Sequence, residues 1–256
     1  MAPFWGDLTP DDVSIAKTLE YEKLRQRNPW TVRRELGVLQ AALNHAVVAL
    51  RLTNPPKIKL PEKPAPLDRW LTKDEVNRLL RHAPPHLQRF IKISLCTGRR
   101  KKAVLDLRWS RSTDKGWIDL DRKIIEFKGT NQTESSKRRG SIAMPDPLLE
   151  LAVEWEQDGN PSVIHFDGKP LKDIKSSFRK ACSEAGLSDV TPHTLKYTAV
   201  TWAFQGGMSV EDAYDYFATS IDTLLDVYRK HSPEHQARAA RIMSQIGDHF
   251  VANNVA

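Results

Sequence analysis

Thr191-Pro192-His193-Thr194-Leu195-Lys196-Tyr197-Thr198-Ala199-Val200-Thr201-Trp202, followed later by Val227-Tyr228-Arg229-Lys230-His231-Ser232-Pro233, is the part of this chain from which the rest is read. Pro192 suits the first turn of a helix, where its missing N–H is no loss, and Thr191 stands where a cap is needed. His193 and Lys196 are then three residues apart and share one helix face. Leu195, Ala199 and Trp202 fall on another face, which a core would take. The spacing predicts a buried helix whose His and Lys edge lines a cleft. Many helix starts carry such a pair, so its meaning depends on the sequence to either side.

On the C-terminal side this helix is expected to stop at Gly206-Gly207. Ser209 should cap a further helix carrying Val210, Ala213 and Phe217, and a last one holds Leu224, Leu225, Val227 and Tyr228. On the N-terminal side helices are expected at 148–155 and 171–185, the second closed by Gly186. Three short strands are predicted before them, at 117–120, 124–127 and 141–144. A polar, basic hairpin loop, 128–139, joins the last two. Further back, Thr97-Gly98-Arg99-Arg100-Lys101-Lys102 sets four consecutive cations between two apolar helices, one over 86–95 and one holding Val104, Leu105, Leu107 and Trp109. Basic runs are solvated faces as often as not. This one sits in a turn, where its side chains can face a cleft. Thr72-Lys73-Asp74-Glu75 is a capping box that opens the first helix of this region.

The N-terminal part is separate in character. Residues 1–28 are polar and helical, with a start at Thr9-Pro10-Asp11-Asp12. Thr31 then opens a long helix in which Val32, Leu36, Leu39, Leu43, Ala46 and Leu50 recur at helical spacing, with Arg33, Arg34 and Gln40 off that stripe. Residues 54–68 are rich in proline and lysine and read as a semi-rigid linker. The expected organisation is a helical domain at 1–53, the linker at 54–68 and a larger domain at 69–256. The fold class is α+β, mainly α with a small antiparallel β-sheet.

The chain has 256 residues, 40% hydrophobic and 28% charged, an ordinary globular balance with length for a real core. Lys and Arg total 39 against 32 acids, for net +7 and a pI near 9.4, which favours a polyanionic partner. Cys96 and Cys182 lie in apolar helical patterns and read as core residues of a reducing compartment. No signal segment or membrane-length apolar run is found, so a cytoplasmic protein is expected. Arg100, Lys137, His193, Lys196 and Tyr228 each fall at an element edge. Fixed cations with one histidine suit a pentavalent phosphate, and a tyrosine can hold a cleaved strand as a phosphotyrosyl ester. That scheme needs no metal, and no carboxylate cluster with metal spacing occurs. Tyr214 and Tyr216 are rival tyrosines that read as packing residues beside Phe217.

With these residues in place, the chain resembles the tyrosine recombinases of the phage and genomic-island integrase type. The family's first box, Thr-Gly-x-Arg with a following Leu-x-Trp, is matched by Thr97-Gly98-Arg99-Arg100 and Leu107-Arg108-Trp109. The second, His-x-x-Arg with a trailing Thr and Trp, is matched by His193 to Lys196, Thr198, Thr201 and Trp202. The third, Val-Tyr-x-x-His-x-Pro, is matched by Val227 to Pro233. The helix 31–50 resembles the last part of the family's core-binding domain. The resemblance implies an integrase-like catalytic domain after a partial core-binding domain, clamped around duplex DNA and cutting it through a 3′-phosphotyrosine without cofactor. It implies a homotetramer on DNA, a monomer without DNA, and no membrane. By the same resemblance Arg100 is the first phosphate-clamping arginine, His193 assists proton transfer and Tyr228 is the nucleophile. The hairpin lysine that protonates the leaving 5′-oxygen is matched by Lys137, from its distance to Pro145, with Lys128 the alternative. Arg99, Lys101, Lys102, Arg138, Arg139, Arg33 and Arg34 are the expected DNA contacts. The departures are Lys196 for the second arginine, Ala218-Thr219 for the usual Gly-His, Ala103 for an acidic residue, and a shortened core-binding domain. They imply weak cleavage with DNA binding retained. The alternative reading is a catalytically inactive remnant that only binds DNA. A type IB topoisomerase would share the chemistry but not the helix at 31–50.

Overall fold

The structure is a computed structural model that describes residues 2–63, 68–133 and 140–232, with Ala237, Ala240, Arg241, Met243 and Ser244 beyond them. The chain divides into two compact units, Met1–Asp68 and Arg69–Ala256. Among the described residues, no helix is long and apolar enough to cross a membrane.

The first unit contains α1 (Ala2–Trp5), α2 (Ile15–Arg25) and α3 (Pro29–Val48). The long helix begins two residues before the expected Thr31. Asn28 accepts a 2.9 Å hydrogen bond from the Trp30 N–H, and Pro29 takes the first helical position. Tyr21, Val32 and Leu36 form its core, with Phe4, Trp5, Leu39 and Leu60 against them. Glu35 ties α3 to α2, accepting from the Tyr21 hydroxyl at 2.7 Å and from two nitrogens of Arg25 at 2.7 and 3.0 Å. Those bonds hold its carboxyl down at about 2. Part of the stretch read as a linker lies along this helix pair. The Lys59 N–H donates to Thr18 Oγ1 at 3.2 Å, Leu60 joins the core, and the Arg33 guanidinium donates to the Pro61 carbonyl.

The second unit runs through α4 (Lys73–His82), α5 (Pro85–Thr97), α6 (Lys101–Leu105), β1 (Trp117–Asp119), β2 (Ile124–Glu126), β3 (Ser141–Ala143), α7 (Asp146–Glu156), β4 (His165–Phe166), β5 (Lys169–Pro170), α8 (Lys175–Glu184), α9 (Pro192–Gln205), α10 (Val210–Phe217) and α11 (Ile221–His231). The sheet is antiparallel in the order β1-β2-β3, with Ile118 opposite Ile125 and Ile125 opposite Ile142, all three buried. Helix α9 is the centre of this unit. Leu195, Thr198, Ala199, Val200, Thr201 and Phe204 are all buried, because α5 and α11 both pack on it. Its apolar and threonine side chains go nearly all round, as burial on several sides requires. The Leu71 N–H reaches across the sequence to Thr198 Oγ1 at 2.9 Å and fixes the entry of the chain to this helix.

Two local readings differ from the sequence. The helix after the cation run stops at Leu105. Leu107 and Trp109 lie outside the helix, on either side of Arg108, which bridges to Trp117 and Ser162. A second hairpin, β4–β5, has no counterpart among the expected strands; it turns through Asp167 and Gly168, both with positive φ, the geometry of a tight I′ hairpin.

Candidate active site

Gly98 ends α5 with φ of +57°, and a Cβ there would overlap the Phe217 ring. No other residue combines that backbone with so close an approach. The turn it makes sorts the four cations that follow. Arg99 goes inward, 4% exposed, its guanidinium 4.8 Å above the Phe127 ring and donating to the Gly140 carbonyl at 3.4 Å. It thus packs against the sheet, buried, whereas Arg99 was expected as a DNA contact. Arg100 turns outward as the N-cap residue of α6 and lines a cleft of about 720 Å³. Lys101 and Lys102 make surface ion pairs, with Asp173 at 2.7 Å and Asp106 at 3.0 Å.

The second wall of the cleft is the start of α9. Pro192 holds the first helical position, and the Thr191 N–H donates to Thr194 Oγ1 at 3.0 Å, which closes the helix start. His193 is exposed at the mouth, and Lys196, one turn on, is 7% exposed at the floor. Lys196 Nζ donates to the carbonyl of Phe217, the last residue of α10, at 3.4 Å. Ala218 then takes a left-handed conformation, φ +47°, and Thr219 donates its hydroxyl to the same carbonyl at 3.2 Å. Ser220, Asp222 and Thr223, in the first turn of α11, complete the far wall.

The cleft is rich in basic side chains, and its floor is buried. Burial, and after it the Arg100 and Arg99 charges, bring the Lys196 ammonium down to about 7. His193, though its side chain reaches solvent at the mouth, is also lowered, by partial desolvation against the cleft wall and then by the Lys196 and Arg100 charges. An anion entering here meets a planar guanidinium, a lysine and an imidazole within one cavity.

The structure therefore brings Arg100, His193 and Lys196 together. Tyr228 belongs to the helix that walls the cleft but is not among the lining residues. It is half-buried, its ring edge-on to Phe204 with centroids 5.2 Å apart, while its neighbour Val227 reaches the cleft. The end of α11 is fastened to α9, with Tyr197 Oη and His231 Nε2 at 3.2 Å and Trp70 against the imidazole. Lys128 lies in a separate groove with Trp109, Arg111 and Glu126. Arg34 is exposed on α3. Lys137, Arg138 and Arg139 lie outside the described residues. Among the rival tyrosines, Tyr216 donates to the Cys96 carbonyl at 2.9 Å and packs, as expected. Tyr214 and Tyr197 both line the cleft. Tyr197 sits next to Lys196 in sequence, and that adjacency was the only available sign of its place. Among the described residues no cluster of three or more metal-ligating side chains occurs.

Residues 69–235 match the model of the phage integrase family. The integrase of Salmonella phage P22 is 25% identical over 218 residues, 79% of this chain and 54% of that protein. The chain thus spans about half the length of that relative. The tyrosine recombinase XerA of Thermococcus kodakarensis is 26% identical over 226 residues, 80% of this chain and 76% of that one. Among solved structures, the Tn1549 transposon integrase in complex with transposon right end DNA superposes with a TM-score of 0.71 at 16% identity, covering 91% of this chain and 86% of that one.

Proposed function

The chain belongs to the phage integrase family, and from that premise we propose that it is a site-specific DNA recombinase acting through a 3′-phosphotyrosyl intermediate. In this scheme the Tyr228 hydroxyl attacks a backbone phosphorus. The bond to the 5′-oxygen breaks, and that oxygen leaves with a proton. Arg100 and Lys196 balance the charge that gathers on the non-bridging oxygens, and His193 assists proton transfer. Lys137, or Lys128 in its place, protonates the leaving oxygen. The ring of Tyr228 meets Phe204 edge-on. Residues 1–53 act as a partial core-binding domain, joined by 54–68 to the catalytic part. The partner is duplex DNA, with a tetramer as the assembly on it.

The observation that carries this reading is the convergence of Arg100 with His193 and Lys196, nearly a hundred positions later, in one cleft walled by the helix of Tyr228. The test is covalent capture. A nicked duplex, from which the cleaved fragment diffuses away, should trap protein on DNA, and Tyr228→Phe should trap none. A second reading, binding without cleavage, is favoured by Lys196, which has no planar fork to grip two phosphate oxygens. Losing one charge-assisted bond of about 1.5–3 kcal/mol slows a step roughly ten- to a hundredfold. Lys196→Arg is accordingly expected to raise the trapped yield. Equal yields from Lys196→Arg and the unaltered protein would leave Lys196 a working substitute.

A further inference from the structure

The cleft holds one group whose surroundings suit neither of its charge states by themselves. Lys196 is almost wholly buried, the hydrogen bond its ammonium makes among the described residues is a long one to the Phe217 carbonyl, and an ammonium has three N–H groups to place. The charged and titratable groups around it come from every wall of the cleft, with Arg99 behind the wall rather than on it. Arg99 and Arg100 stand at the α5–α6 turn, His193 and Tyr197 on its own helix, Tyr214 on α10, and Asp222 in the first turn of α11. Of these, the two arginines are fixed cations, while among the described lining residues the acidic side chain is that of Asp222, which is exposed. A buried amine beside two guanidinium groups is driven to shed its proton, and a phosphate drawn in by Arg100 reverses that balance.

We infer that Lys196 is a proton-coupled phosphate ligand: it stands as a neutral amine in the empty cleft and takes a proton from solvent as a DNA phosphate enters. The inference rests on the recombinase reading and gives that site a pH dependence. The bound state gains one N–H⁺ at Nζ, and the buffer loses one proton. No bond other than N–H is made or broken. The burial and the neighbouring cations that lower this lysine to about 7 agree with the geometry. An arginine at this position would carry its charge at every working pH and could not act in this way. The substitution that breaks the family pattern therefore gives this chain a ligand that is charged only when the cleft is occupied.

The experiment is calorimetry of the full chain binding a short blunt duplex at pH 8 and low salt, in two buffers of different ionisation enthalpy. Their difference in heat counts protons. Burial lowers His193 as well, and the His193→Gln variant separates any proton it takes up from that of Lys196. The unaltered protein is expected to take up close to about one proton per bound chain, with affinity falling by up to about tenfold per pH unit above neutrality. Lys196→Arg should bind with no uptake, and so should Lys196→Met, a buried apolar replacement that does not endanger the fold. His193→Gln should keep the uptake. Binding without uptake in the unaltered protein, or uptake that survives in Lys196→Arg, overturns the inference and leaves the recombinase reading standing. Absence of duplex binding altogether overturns both.

Discussion

Replacing Lys196 by methionine is expected to stabilise the fold, and most strongly in acid. In the unfolded chain this lysine keeps its ordinary value, 10.5, while burial in the native cleft brings it to about 7. Between those values the unfolded chain binds more protons than the native one, so native stability rises with pH across that window. Below about 7 both states carry the charge and the burial penalty is felt in full, on the order of a few kcal/mol. Urea unfolding should show Lys196→Met well above the unaltered protein at pH 6 and nearly level with it at pH 10. A gap of equal size at both would mean the ammonium is solvated in the native state. At this scale the sequence names the right types but not their directions. Four cations in a row give no sign that Arg99 packs on Phe127 while Arg100 opens to the cleft. That choice is made by the positive φ of Gly98 and its contact with Phe217, more than a hundred positions away.

The last turn of α11 is held by a contact that one atom can remove. Tyr197→Phe deletes the hydroxyl paired with His231 and leaves the ring, at a cost of about 1 kcal/mol. The expected result is faster amide exchange in the second half of α11, with α9 protected as before, and a lower yield of trapped Tyr228. Unchanged exchange in α11 would mean that packing of Leu224 and Val227 holds the helix without the tether. Helices α9 and α11 and the three-stranded sheet are legible in the sequence because each carries a strong local signal: a proline start, a helical stripe, or an isoleucine alternation bounded by turns. The β4–β5 hairpin is not, since strands of two residues have no periodicity; only the Asp167-Gly168 pair marks it. The early stop of α6 is hidden too. Leu107 and Trp109 suit a helix stripe equally well, and the Arg108 bridges to Trp117 and Ser162 decide against it.

The two units differ in how much core each possesses. In Arg69–Ala256 an apolar interior runs from Leu71 and Phe90 through Phe127 to Phe178 and Leu195, enough for folding alone. In Met1–Asp68 the fully enclosed apolar cluster is Tyr21, Val32 and Leu36, and Trp30, Val38, Val48 and Leu50 are exposed. A fragment of residues 69–256 should therefore give a cooperative thermal transition close to that of the full chain, whereas residues 1–68 should show at most partial helicity, as short helices with little burial do in water. Circular dichroism melts of the two fragments check this. A sharp transition from 1–68 would show that the Glu35 network and the extended strap suffice.

The bond from Leu71 to Thr198 closes a loop of 127 residues, and it sets a timetable for synthesis. At a ribosomal rate of about 5–20 residues per second, roughly 6–25 seconds separate the emergence of Leu71 from that of its acceptor. During that interval the faces of Phe90, Ile91 and Ile93 lack the helix that covers them, and the growing chain is at its most vulnerable to misassociation. The cleft is likewise a late arrival. A ribosome stalled before residue 190 leaves a chain that carries Arg100 but neither His193 nor Lys196, so prematurely ended products keep basic surface without a phosphate site.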